Sequence, residues 1–161
     1  MSDTAALLNI LAVDDDPATV RDIQAALDDA RLRFHFADTA NALSRVLEAE
    51  PVELAVIHVH EGSEPLLDPV ARAARGHEPP IALIALVGPE GAHAQAAART
   101  GVHGLARIDD PRGIARIVGE RVAALRRDRA QAEALAQASD IQERYNLLLE
   151  SSSEAIAYLH Q

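Results

Sequence analysis

Short apolar runs alternate with amphipathic runs over the first hundred or so residues, the pattern of strands alternating with helices. Leu8 to Val13 is an apolar strand. Asp14-Asp15-Asp16-Pro17 interrupts it, with Asp16 placed to cap a helix and Pro17 at its first position. That helix runs to about Ala30, with Val20, Ile23, Ala26, Leu27 and Ala30 at helical spacing. Leu32 to Phe36 alternates as a short strand, and Asp38-Thr39 caps a helix carrying Ala42, Leu43, Val46 and Leu47. Val52 to Val59 is nearly all apolar, as a central strand buried on both faces must be. Asp68-Pro69 predicts the start of a helix to about Arg75, and Gly76 to Pro80 a turn. Ile81 to Val87 is the most apolar strand. A helix from about Glu90 to Thr100 stops at Gly101, a strand follows at Leu105 to Ile108, and Asp109-Asp110-Pro111 opens the last helix.

Five strands alternating with helices predict an α/β domain built on a parallel, doubly wound sheet. In such sheets the functional residues sit at the carboxyl ends of the strands. The places to look are after Val13, after Ile57, after Ala85 and around Ile108.

From Arg112 to Leu149 the chain changes character. It has neither proline nor a strand-like run, and it is too long for one ordinary domain helix. Ile114, Ile117, Val118, Val122 and Leu125 suit packing on the sheet. Beyond them Ala132, Leu135, Ala136, Ile141, Tyr145 and Leu148 form a thin apolar stripe, with no strict heptad across Arg129. Ala155 to Leu159 reads as the start of a strand. The resulting division is a globular domain over 1–125, a helical linker over 126–150 and the beginning of a further domain over 151–161.

Composition removes several classes of chemistry. There is no cysteine, so disulfides, thiolate metal sites and cysteine nucleophiles are excluded. All 15 basic residues are arginine, which excludes lysine Schiff-base chemistry. The net charge of -10 argues against binding nucleic acid or an anionic membrane. That acidity lies within residues 1–110, whereas 111–144 carry a net +2. No apolar run approaches the ~20 residues of a membrane span. The expected setting is cytoplasmic, without membrane insertion or nucleic acid. No glycine-rich phosphate loop follows the first strand, so a nucleotide-binding α/β domain has little support. His35 is expected to be exposed, and His77, His93 and His103 share no metal-ligand spacing.

The run Ile10-Leu11-Ala12-Val13-Asp14-Asp15-Asp16-Pro17 resembles the start of two-component receiver domains. The likeness continues through Ala42-Leu43, Pro51-x-Glu53-Leu54, Pro80-Ile81-Ala82-Leu83-Ile84 and Gly101-x-x-Gly104, and covers about residues 7 to 125. It implies a flavodoxin-like receiver fold with an extended C-terminal helix. It also implies a set of roles: an acidic pair that helps hold Mg²⁺, an acceptor aspartate ending the third strand, a Ser or Thr ending the fourth, and a lysine in the fifth. Asp14 and Asp15 match the pair. The acceptor position falls on His58, the Ser/Thr position on Ala85 and the lysine position on Ile108, followed by Asp109 where proline is usual. Three of the four roles are empty. An acyl phosphate needs a carboxylate nucleophile, a cation and donors for the phosphoryl oxygens. The resemblance thus implies a pseudo-receiver, not an enzyme, with Mg²⁺ binding weak and no other cofactor.

Two close carboxylates repel unless neutralised. An imidazolium at His58 would supply the missing positive charge. Alternatively Asp14, Asp15 and His58, with His60, would ligate a metal. The competing functional reading is a receiver phosphorylated by a histidine kinase on a non-standard acceptor; Glu61 and Asp68 are the acids beyond the third strand.

The run from Glu143 through Tyr145, Leu147-Leu148 and Glu150-Ser151-Ser152-Ser153-Glu154-Ala155-Ile156 is similar to the leading helix and first strand of a PAS domain. Receiver, helix and PAS in that order resemble the front of FimX-type cyclic-di-GMP signalling proteins, which act in type IV pilus biogenesis and twitching motility. The resemblance implies a homodimer through the C-terminal helix and other signalling proteins or downstream domains as partners.

Overall fold

In the computed structural model, residues 7–14, 16–27, 31–89, 91 and 93–159 are described. Five parallel strands, β1 (Leu8–Val13), β2 (Leu32–Ala37), β3 (Val52–His58), β4 (Ala82–Val87) and β5 (Gly104–Arg107), form one sheet in the order β2-β1-β3-β4-β5. The helices are α1 (Pro17–Ala26), α2 (Ala40–Ala49), α3 (Glu64–Gly76), α4 (Ala94–Arg99) and α5 (Pro111–Leu159). This is the flavodoxin-like receiver fold with a long C-terminal helix. β1 and β4 are buried at every position, as strands covered on both faces must be, with Asn9 the one polar residue among them. The edge strands β2 and β5 are partly exposed.

The predicted caps position the helices. Asp16 Oδ1 accepts the Ala18 N–H at 2.9 Å. Thr39 Oγ1 accepts the Ala42 N–H at 3.1 Å, and Asp110 Oδ1 accepts the Gly113 N–H at 3.1 Å. Each satisfies a donor that the first helical turn leaves over. Gly101, at φ +76°, ends the turn after α4 in the left-handed conformation.

Three expectations are corrected. α3 begins at Glu64, not at Asp68-Pro69, and Pro69 lies inside it. Leu67, Val70, Ala71 and Ala74 recur at helical spacing and are all buried. Burying such a face contributes about 1.5–3 kcal/mol per large side chain, which outweighs the one backbone bond that Pro69 lacks. α4 is shorter than expected, because Gly91 and His93 both have positive φ and break the helical path before Ala94. Glu90, its expected start, lies outside the described residues. Residues 155–159, read as a strand, are helical. A strand needs a neighbouring edge for its hydrogen bonds, whereas a helix satisfies its own.

Two compact units divide the chain, Met1–Val122 and Ala123–Gln161. In the first, Leu11, Val13, Ala55, Ile57 and Val59 pack with Leu43 of α2 and with Leu67, Val70 and Ala74 of α3 in one core. The second is helical through Leu159 and exposes Leu135, Ile141, Tyr145, Leu147, Leu148 and Leu149. No helix among the described residues is long and apolar enough to cross a membrane.

Candidate functional site

β1 and β3 are neighbours, with Val13 opposite Ile57. Asp14 and His58 therefore emerge side by side at the carboxyl rim. This is where strand order reverses and a crevice opens. Asp14 is buried, with 1% of its side chain exposed. Its Oδ2 lies 2.9 Å from His58 Nδ1 and its Oδ1 lies 3.2 Å from His60 Nε2. The Asp16 N–H also donates to Oδ1, at 3.3 Å. His58 and His60 flank the buried Val59, and both rings reach Asp14. The ring centroids are 4.7 Å apart.

The loop after β3 locks this geometry. The fully buried Ser63 donates its hydroxyl proton to the His58 carbonyl and accepts the His60 N–H at 3.1 Å. The Gly62 N–H donates to His60 Nδ1 at 3.0 Å. His60 Nδ1 is therefore unprotonated, and Nε2 carries the proton that faces Asp14. His58 donates from Nδ1. Both oxygens of a buried carboxylate are thus hydrogen-bonded by directed N–H groups. Ser63 was not foreseen as part of the site. Its signal in the sequence is the Ser-Glu-Pro start of α3, but its hydroxyl makes no cap bond there and instead clamps the β3 terminus, which needs the folded loop.

Asp15 lies outside the described residues. Ala85 is fully buried inside β4, two residues before the strand ends at Val87; neither side chain carries a hydroxyl. Ile108 follows β5, its N–H bonded to the Val87 carbonyl at 2.8 Å. The neighbouring cation, Arg107, grips Asp109 with Nε at 3.0 Å and Nη2 at 2.7 Å. Those bonds hold the Asp109 carboxyl below its ordinary range. Glu61 and Asp68 line an open groove with Arg75, Arg99 and Thr100. His35, expected to be merely exposed, is half-buried and bonded through Nε2 to Asn9 Oδ1 at 3.0 Å.

Mg²⁺ takes a near-octahedral shell of oxygens at ~2.0–2.1 Å. Among the described residues of the cluster, Asp14 is the one carboxylate, it is engaged by two imidazoles, and the other donors are nitrogen. The donor set of Asp14, His58 and His60 does not fit Mg²⁺.

No protein-family model and no curated protein matches the chain. Among solved structures it is similar to a signal receiver domain of an HD domain-containing protein from Pseudomonas fluorescens. The identity is 20% and the TM-score 0.60, covering 83% of this chain and 97% of that one. It is similar also to a CheY-like response regulator receiver domain from Methanospirillum hungatei, at 22% identity and TM-score 0.59, covering 76% and 99%. A putative pilus assembly-related protein from Burkholderia pseudomallei matches at 14% identity and TM-score 0.54, covering 73% and 90%. At these identities the likeness establishes the fold.

Proposed function

We propose that the chain is a signalling module of the two-component type in which aspartyl phosphorylation has been lost, acting through docking and dimerisation and not as an enzyme. The observation that carries this is His58 at the end of β3, its Nδ1 bonded to the buried Asp14. The rim there presents an imidazole where an acyl phosphate requires a carboxylate, and Arg107 is turned to Asp109. Incubation of the full chain with acetyl phosphate and Mg²⁺, followed by intact mass, tests the reading. No phosphoryl mass gain is expected. A stoichiometric gain would overturn the proposal in favour of a histidine-kinase phosphorelay with a non-standard acceptor.

The second unit supplies the dimerisation surface in this reading. Ala134, Ala138, Ile141, Tyr145 and Leu148 follow alternating steps of four and three along α5, the spacing of a two-helix seam. Ile141, Tyr145 and Leu148 are exposed, and a second copy of the same helix would cover them. Light scattering should give a dimer that Ile141→Glu with Leu148→Glu converts to a monomer. A monomer from the unaltered chain would overturn this part. The proposed setting is a cytoplasmic multidomain regulator of the FimX type, linked to cyclic-di-GMP, type IV pili and twitching motility, with a PAS domain continuing from residue 151. Its support is the helical part of the PAS-like run, from Glu143 to Glu154, together with the fold shared with the Burkholderia pilus assembly-related protein.

A further inference from the structure

We propose that Asp14, His58 and His60 bind one divalent cation of the zinc class. One ligand atom from each residue lies within 4.8 Å of the others. Tetrahedral ligands at ~2.0–2.1 Å from zinc lie ~3.3 Å from one another. His58 Nδ1 lies 2.9 Å from Asp14 Oδ2 and His60 Nε2 lies 3.2 Å from Asp14 Oδ1, so each imidazole stands near that spacing from its own carboxylate oxygen. Imidazole with carboxylate suits borderline ions, and it does not suit Mg²⁺. The ligands are also held in place: Asp14 follows a fully buried strand, and Ser63 fixes the backbone of both histidines. Metal sites depend on such support. His60 is 32% and His58 16% exposed, so solvent reaches the cluster and water can complete the coordination shell.

Binding has a defined structural consequence. The two ring protons that face Asp14 must vacate His58 Nδ1 and His60 Nε2. On His58 the proton moves to Nε2. On His60 it moves to Nδ1, which now accepts the Gly62 N–H. Two donors then face each other, so that bond breaks and the turn ahead of α3 readjusts. Cation occupancy is thereby coupled to the β3–α3 loop.

The experiment uses the full chain freed of metal by a chelator, titrated with Zn²⁺ by calorimetry, with Co²⁺ by visible absorption, and with Mg²⁺ in parallel. One Zn²⁺ per chain is expected, with four- or five-coordinate Co²⁺ bands and no saturable Mg²⁺ binding over the same range. His58→Ala and His60→Ala should each weaken Zn²⁺ by more than the ~10-fold that loss of a supporting contact costs. The Gly62 amide resonance should move with Zn²⁺ and not with Mg²⁺. Absence of stoichiometric Zn²⁺ binding, or unchanged affinity when both histidines are replaced, overturns the proposal. Should the variants fail to fold, the Co²⁺ spectrum and the Gly62 resonance of the unaltered chain decide it. The inference goes beyond the loss of phosphorylation and fails separately from it. A phosphoryl mass gain overturns only that loss, and missing Zn²⁺ binding overturns only the metal site.

Discussion

At the tips of β1 and β3 polar side chains are buried and joined to one another, whereas at the tips of β4 and β5 they are either apolar or turned away to solvent. On the first side the Asp14 carboxylate receives His58, His60 and the Asp16 N–H. On the second, Ala85 and Val87 are buried without polar atoms, and Arg107 and Asp109 form an exposed pair. The difference lies in what each half must satisfy. A buried carboxylate has to be neutralised and hydrogen-bonded, so once Asp14 is present its neighbours are constrained. A rim lined by methyl groups imposes no such demand, and charged residues beside it pair wherever geometry is convenient.

The comparison predicts unequal responses to mutation. Asp14→Ala strips three donors of their acceptor and should destabilise the fold by about 2–3 kcal/mol. Urea unfolding measures it, and a loss under about 0.5 kcal/mol would show that the network contributes little. On the β4–β5 side the vulnerability is packing, at the start of β5. A Cβ on Gly104 would meet Ile117 Cδ1 at 2.8 Å and Cγ1 at 3.0 Å. Gly104→Ala should cost about 1 kcal/mol as Ile117 shifts, and Ile117→Val in the same chain should recover part of it.

A smaller effect is set by pH at the same end of β5, next to Gly104. Desolvation of the ring, then the Arg121 charge, hold His103 below its ordinary value of 6.5. Its Nδ1 accepts the Leu83 N–H at 3.0 Å, which the protonated ring cannot do. The fold therefore favours neutral His103. That stabilisation is fully present above the ordinary value and is lost as pH falls through the lowered one. Urea midpoints compared between about pH 7.5 and about pH 5 should drop, and His103→Gln should flatten that part of the profile. The smallest response is expected from Asp109→Asn, since exposed pairs contribute little; the unfolding midpoint should not move. A clear shift there would mean that Arg107 and Asp109 support the rim after all.

Much of the architecture was legible because it rests on local rules. Asp16-Pro17, Thr39 and Asp110-Pro111 mark helix starts through caps that need only neighbouring atoms. The apolar runs of β1, β3 and β4 mark central strands. α3 and α4 were less legible. Asp68-Pro69 is the expected start, whereas Pro65 lies in the first turn and Leu67, ahead of Asp68, is buried in the core. At α4, positive φ at Gly91 and His93 overrode a run of alanines with high helical propensity.

The sequence by itself determined the alternation of strands and helices, the absence of thiol and lysine chemistry, and the presence of imidazole at the end of the third strand. Only the tertiary structure decided that His58 and His60 share one buried carboxylate, that Ser63 holds the backbone of both while Gly62 sets the tautomer of His60, and that Arg107 faces Asp109. The reason is distance along the chain. Asp14 and His58 are 44 residues apart, and no local propensity encodes their meeting. It follows from β1 pairing with β3 in register, which the packing of the whole sheet selects.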